Sequence, residues 1–299
     1  MALRKLLIIG ATGKQGGAVI DALIASSAPF EILALTRNTS SPSAQKLACR
    51  PNVKVIQGDS LDPAPIFEAH KPIHGVFLVT SFEPGKENAE EAQARPVIDQ
   101  AVANKVEHLV FTSVDRGGPG VSENDPTNIV HFATKHRIEE YLKDKTADSK
   151  TQWTILRPVA FMDNLVPGFQ GKFFPVMWGS KLRDDQTLQL ISVHDIGVFA
   201  SKAFQNPQEY KGRAISLAGD DLTLAQAKKV FKEAIGYNMP STFQFMGSLL
   251  MYMVKDLGVM FQWFADVGYG ADVKSLRTEE PKLQDFGTWL KETSDFRKQ

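Results

Sequence analysis

The chain has 299 residues, with 34 basic and 34 acidic side chains in balance, which argues against a dedicated nucleic-acid binder, whose footprint is a basic excess. Its one cysteine, Cys49, excludes an internal disulfide and a cysteine-built metal site and suits a reducing compartment, so a cytoplasmic location is expected. An apolar share of 43% is enough for a sizeable core, as one large α/β domain or as a nucleotide domain with a smaller lobe.

The opening "MALRKLLIIGATG" sets basic residues ahead of a short apolar run that ends in a glycine turn. That ending is wrong for a secretory leader and right for a buried first strand. "GATGKQGG" follows at once. Gly10 allows a tight turn, Gly13 lets the backbone approach a pyrophosphate, and Gly16 permits close packing of helix on strand. The helix that opens near Gln15 would aim its N–H groups at the phosphates. Ala11, Thr12, Lys14 and Gln15 complete the candidate cofactor loop. A glycine triplet is a weak signal alone; its place between a first strand and the amphipathic "GGAVIDALIAS" gives it weight.

The second strand, "EILALTR", ends in "LTRN". An NAD site places a carboxylate here for the ribose 2'-hydroxyl. Arg37 stands there instead, and a guanidinium suits the 2'-phosphate of NADP(H). The third strand, "VKVIQGD", leads into "GDSLD", which puts Asp59, Ser60 and Leu61 beside the adenine. His70 and His74 have a zinc-like spacing, but Pro72 between them breaks the helical face, and no metal is expected. The fourth strand, "GVFLVTS", sets Thr80, Ser81 and Phe82 along the ribose and diphosphate.

A helix is expected in "ENAEEAQARPVIDQAVANK", residues 87–105, then a fifth strand in "EHLVFTSV". The breaker-rich "SVDRGGPGVSENDPTN" reads as a mobile loop that cofactor binding orders. A helix around "VHFATKHR" and a sixth strand, "TQWTILRP", follow. Strands that are continuous apolar runs are covered on both faces by helices. With right-handed crossovers this predicts an α/β fold, a Rossmann-type doubly wound parallel sheet with its crevice at the strands' carboxyl ends. The expected division is 1–157, an NADP-binding Rossmann domain, and 158–299, a smaller C-terminal α/β lobe with segments returning to the Rossmann core.

In "DDLTLAQAKKVFKEAIGY", Thr223 and Gln226 form a capping box and Gly236 ends the helix. The following stripe, Met246, Met251, Met253, Met260, Phe261, Trp263 and Phe264, reads first as core and otherwise as a substrate pocket or partner-docking groove. Lys255, Asp256 and Gly258 interrupt it, so it falls short of the roughly 18 apolar residues of a membrane span. No membrane association is expected.

Taken in order, "GATGKQGG", "LTRN", "HLVFTSVDRG", "HFATKHRIEEYL", "TILRPVAFMDN" and "ISVHDIGVFASKAF", with "DVGYGADV" near the end, resemble the NmrA-like family of atypical short-chain dehydrogenase/reductases over almost the whole chain. The resemblance implies NADP(H) binding and places Val159, Ala160, Phe161 and Met162 near the nicotinamide; Asn164 belongs to it too, or caps a helix. The family holds non-catalytic redox-sensing regulators as well as oxidoreductases, and its regulators act on nuclear partners, which leaves nuclear entry open.

In standard members of the wider superfamily a Tyr and a Lys sit four residues apart on one helix face, and a serine at the end of the fifth strand polarises the carbonyl oxygen. Here Ser113 and Lys135 match, but His131 occupies the Tyr position. A neighbouring ammonium and burial both favour neutral imidazole, a poor proton donor to a developing alkoxide. Lys135 keeps its ribose-holding role without chemistry. Two functions follow: a redox sensor controlling a protein partner such as a transcription regulator, with no direct nucleic-acid binding, or an NADPH-dependent reductase of a small carbonyl, quinone or aromatic metabolite that uses Lys135, His131 and Ser113 as catalytic residues. The missing Tyr favours the sensor.

Overall fold

Six short, mostly apolar runs pair side by side as parallel strands: β1 (Arg4–Ile8), β2 (Phe30–Thr36), β3 (Val53–Gln57), β4 (Gly75–Leu78), β5 (His108–Thr112) and β6 (Gln152–Pro158). Four more strands follow: β7 (Ala160–Phe161), β8 (Thr187–Ile191), β9 (Arg213–Leu217) and β10 (Asp220–Thr223). The structure is a computed structural model and describes residues 3–27, 29–83, 85–86 and 88–298. Within them a seven-stranded sheet runs β3-β2-β1-β4-β5-β6-β9, and a three-stranded sheet runs β10-β8-β7. The order reverses between β1 and β4, the position where doubly wound sheets open a crevice. The doubly wound α/β architecture expected from the strand runs is the one found.

The helices of the first half are α1 (Lys14–Ala25), α2 (Pro42–Ala48), α3 (Ala64–His70), α4 (Ala89–Ala103), α5 (Val121–Asn124) and α6 (Val130–Thr146). Those of the second are α7 (Phe173–Lys181), α8 (Val193–Gln205), α9 (Pro207–Tyr210), α10 (Leu224–Ile235), α11 (Gln244–Met253), α12 (Lys255–Asp266), α13 (Val273–Glu279) and α14 (Phe286–Glu292). The helix expected over 87–105 is α4; Glu87, at its expected start, lies outside the described residues. No described helix is long and apolar enough to cross a membrane. No described cluster of His, Cys, Asp and Glu could hold a metal ion.

Packing divides the chain into two units that interleave in sequence. The first comprises Met1–Val114, His131–Arg157 and Ile196–Ile215; the second comprises Asp115–Val130, Pro158–Asp195 and Ser216–Gln299.

In the first unit, Leu7, Leu33, Val76, Phe111 and Ile155 of the sheet pack with Val97 and Ile98 of α4 and Ile138 and Leu142 of α6. Each such side chain contributes about 1.5–3 kcal/mol by leaving water. Gly197 lets α8 reach the backbone of α1, since a Cβ there would lie 2.4 Å from the Ala18 carbonyl oxygen. His108 is buried with Nε2 2.7 Å from Thr154 Oγ1. Burial, aided by the Arg4 charge, pushes its imidazole down to about 4.

In the second unit, Thr223 and Gln226 form the expected capping box of α10, and Gly236 ends that helix at φ +91°. The buried Asp195 carboxylate accepts from the Gln284 N–H at 3.1 Å and the Ser192 hydroxyl at 3.2 Å. Desolvation outweighs those bonds and pushes its carboxyl up to about 7. Asp163, next to Asn164, accepts from the Val193 N–H at 2.9 Å and so caps α8.

Two expectations change here. The breaker-rich stretch after β5 is a cage, not a slack loop. Asp115 and Arg116 are fully buried. Asp115 accepts from the N–H groups of Gly117 and Gly118 at 3.1 Å and of Gly270 at 2.9 Å, and also from the Ser216 hydroxyl. Gly117 and Gly118 reach this arrangement at φ +102° and +84°, a region side chains other than glycine rarely enter. The Met and aromatic stripe is also only partly core: Met251, Phe261, Trp263 and Phe264 are buried, whereas Met253 is exposed.

Candidate functional site

The candidate site lies at the carboxyl edge of the first unit's sheet. Gly10 takes φ +67°, and a Cβ there would sit 2.5 Å from Val79 Cγ1. At Gly16 a Cβ would lie 2.3 Å from the Gly10 carbonyl oxygen and 2.8 Å from Ala11 Cα. No side chain can replace either without moving backbone or core. Gly13 is the N-cap of α1 and supplies no side-chain cap, and a helix start of that kind suits an external anion. Ala11 is buried, Thr12, Gly13 and Lys14 are exposed, and Gln15 is half-buried. Gln15 Oε1 accepts from Thr112 Oγ1 at 2.7 Å, which ties the start of α1 to the end of β5.

Arg37, just past β2, is exposed, and among the described residues no carboxylate pairs with its guanidinium. Its carbonyl accepts from Gln57 Nε2 at 3.4 Å. Past β3, Asp59 accepts from the Leu61 N–H at 3.0 Å and shapes its own turn, leaving Leu61 exposed with Ser60 half-buried between them. Past β4, the backbone of Ser81 is held at both ends by Gln93: its N–H donates to Oε1 at 2.9 Å and its carbonyl accepts from Nε2 at 3.1 Å.

Helix α6 brings the two halves of the predicted site together. His131 meets Phe82 with ring centroids 5.4 Å apart and packs edge-on to Phe132 at 4.7 Å. One turn on, the Lys135 ammonium donates to Thr80 Oγ1 at 2.6 Å, lies 3.2 Å from Glu90 Oε1, and is 3.4 Å from the Thr112 carbonyl oxygen. Thr80 passes the chain on, donating to Glu90 Oε1 at 2.8 Å. An ammonium has three protons, and three acceptors surround this one.

One further turn along, Glu139 is fully buried and held by Arg157 through Nε at 3.1 Å and Nη2 at 2.6 Å. The Ser113 hydroxyl donates to the same carboxylate. A hydroxyl has one proton to give and a carboxylate none, so the direction of that bond is fixed. Val159, Ala160, Phe161 and Met162 belong to the second unit, where Ala160 and Phe161 form β7 beside β8.

Glu90, Glu139 and Arg157 went unnoticed in the sequence. Glu139 carries a usable signal, because His131, Lys135 and Glu139 step along α6 at intervals of four and so share a face. Glu90 has none: an acid in the first turn of a helix reads as an ordinary complement to the helix dipole.

A model of the NmrA-like family matches residues 3–290. An NmrA-like family domain-containing oxidoreductase of Aspergillus hancockii is 26% identical over 265 residues, covering 78% of this chain and 73% of its own. Among solved structures, NmrA, a negative transcriptional regulator in complex with NADP, superposes with a TM-score of 0.71 at 18% identity, over 99% of this chain and 97% of its own. An NADPH-dependent quinone oxidoreductase of Escherichia coli complexed with NADPH also gives 0.71, at 22% identity, over 94% and 97%.

Proposed function

The chain belongs to the NmrA-like family, and from that premise we propose that it is an NADP(H)-binding redox sensor whose nucleotide state is read by a protein partner, a transcription regulator being the kind that fits. The observation that carries this reading is the bond from Ser113 to Glu139. The one proton with which Ser113 would polarise a substrate carbonyl is given to a buried carboxylate that Arg157 locks in place. His131 in the Tyr position compounds the loss, since the face of α6 that normally hands over a proton carries an imidazole against two aromatic rings.

The residues present fit the dinucleotide. Thr12, Gly13, Lys14, Gln15 and Gly16 would hold the diphosphate at the uncapped start of α1, and the cradle there is one that a Cβ would fill. The unpaired guanidinium of Arg37 would take the 2'-phosphate, with Asp59, Ser60 and Leu61 along the adenine and Thr80, Ser81 and Phe82 along the ribose and diphosphate. Lys135 would reach the nicotinamide ribose by exchanging one of its three acceptors. The family resemblance assigns Val159, Ala160, Phe161 and Met162 to the nicotinamide end. The bound group supplies a ring whose oxidised form carries a positive charge and whose reduced form does not. A sensor needs two conformations that bind these forms differently, and about 1.4 kcal/mol of difference shifts their ratio tenfold. The proposed location is the cytoplasm, with entry to the nucleus where a regulator acts there.

Calorimetry with the four nicotinamide dinucleotides, paired with NADPH consumption over a panel of quinones, aldehydes and ketones, tests the proposal. Tight binding of the phosphorylated forms without turnover is expected. Sustained turnover that disappears in Lys135→Ala would overturn the sensor in favour of a reductase, the reading favoured by the oxidoreductase among its relatives.

A further inference from the structure

We infer that the outer face of α11 is a contact surface between two copies of this chain. Helix α11 packs its inner face tightly. Met251 is buried, and Gly247 lies so close to α7 that a Cβ would meet Val176 Cγ1 at 2.6 Å. That contact fixes which residues point outward: Phe245 is 67% exposed, Leu249 50%, Tyr252 81% and Met253 65%, and Phe243 just ahead of the helix is 72% exposed. The spacing 245, 249, 252, 253 makes these side chains one stripe. The rings of Phe243 and Phe245 stack on one another at 5.9 Å, so part of the face is organised before any partner arrives.

Area and charge together choose the occupant. At about 200 Å² per aromatic residue, the three rings alone leave on the order of 400 Å² in water. Leu249 and Met253 carry the face to about 600 Å², the top of the range that monomers expose. Doubled across a twofold axis it becomes roughly 1,200 Å², the lower edge of specific, stable interfaces. An isologous contact sets a surface against its own image, so any net charge on it repels itself. This face has none: no charged residue occurs between Glu233 and Lys255. The same absence removes the lysines and arginines that bring an amphipathic helix to an anionic bilayer. Aromatic residues and Met are also the types enriched at the centres of protein contacts. The inference is independent of the sensor reading.

Sedimentation equilibrium and light scattering on the full chain, from low to high micromolar protein, test it. A dimer is expected. Leu249→Lys with Tyr252→Lys should give a monomer with an unchanged far-ultraviolet circular dichroism spectrum, because both positions are exposed and each new charge faces its image. The neutral pair Phe245→Ser with Tyr252→Ser should weaken the dimer at least tenfold, which guards against a lysine-specific folding defect. A wild type that is monomeric throughout, a dimer indifferent to both pairs, or a monomer that floats with phosphatidylcholine vesicles would each overturn the inference.

Discussion

Replacing Asp195 with Asn should change how stability depends on pH, with a sign and size that follow from the burial of this carboxyl. Its ordinary value is 3.8, and in the folded chain it rises to about 7, chiefly through desolvation, with Glu280 adding to the rise. Below about pH 4 both folded and unfolded chains hold the proton, and the group is neutral to stability. Between there and about pH 7 the unfolded chain has released a proton that the folded chain keeps. Stability is therefore lost as pH rises through this window, at about 1.4 kcal/mol per unit, reaching on the order of 4 kcal/mol. Asn keeps an oxygen to accept from the Gln284 N–H and the Ser192 hydroxyl, and it never ionises. His108 runs the other way. Its ordinary value is 6.5, lowered to about 4 by burial, so stability is lost as pH falls through that range, by about 3 kcal/mol. In the wild type the two slopes oppose each other between about pH 4 and 6.5. Urea denaturation followed by tryptophan fluorescence at half-unit intervals should show a nearly flat wild type there and an Asp195→Asn variant that gains stability steadily with pH. Above about pH 7 the variant should be the more stable protein. Parallel curves over the whole range would refute the assigned ionisation.

Arg37→Ala should weaken NADP binding at least tenfold and leave NAD binding nearly unchanged in calorimetry; equal losses would remove this guanidinium from the phosphate site. Arg157→Ala strands a fully buried carboxylate on Glu139, and breaking a buried pair in this way costs about 3–5 kcal/mol; a melting temperature within a degree of wild type would show that the pair is not buried in solution. Lys135→Met leaves Glu90 without its cation and should destabilise by a similar amount, while Lys135→Met with Glu90→Gln should recover much of that loss. Failure of the double variant to recover would place the damage in packing rather than in charge.

The sheet was legible because its strands are runs such as "KLLIIG" and "HLVFT" that only a two-sided burial explains. The start and end of α10 were legible for a local reason as well: Thr223, Gln226 and Gly236 act within one turn of where they stand. What escaped was set by distant partners. Glu90 is buried against Lys135, 45 positions downstream, and Thr80, 10 positions upstream beyond the end of β4, and nothing within its own helix says so. The apolar stripe of α11 and α12 misled for a different reason. Periodicity shows that a helix has an apolar face, but it does not show whether another element of the same chain covers it, and α11 is apolar on both faces. The loop after β5 misled through composition: glycine, proline and serine describe a slack tether and a tight backbone cage equally well until the carboxylate at their centre is known.

That cage also bears on the order in which the chain can be completed. The donors that satisfy Asp115 include the hydroxyl of Ser216 and the amide of Gly270, the latter 155 positions downstream. During synthesis from the amino terminus, the connection leaving β5 stays unfinished until almost the whole polypeptide has emerged, since sealing it sooner would bury a charge short of donors. Loops closed over so many residues form late, and a nascent chain halted before Gly270 would keep this segment open to proteases.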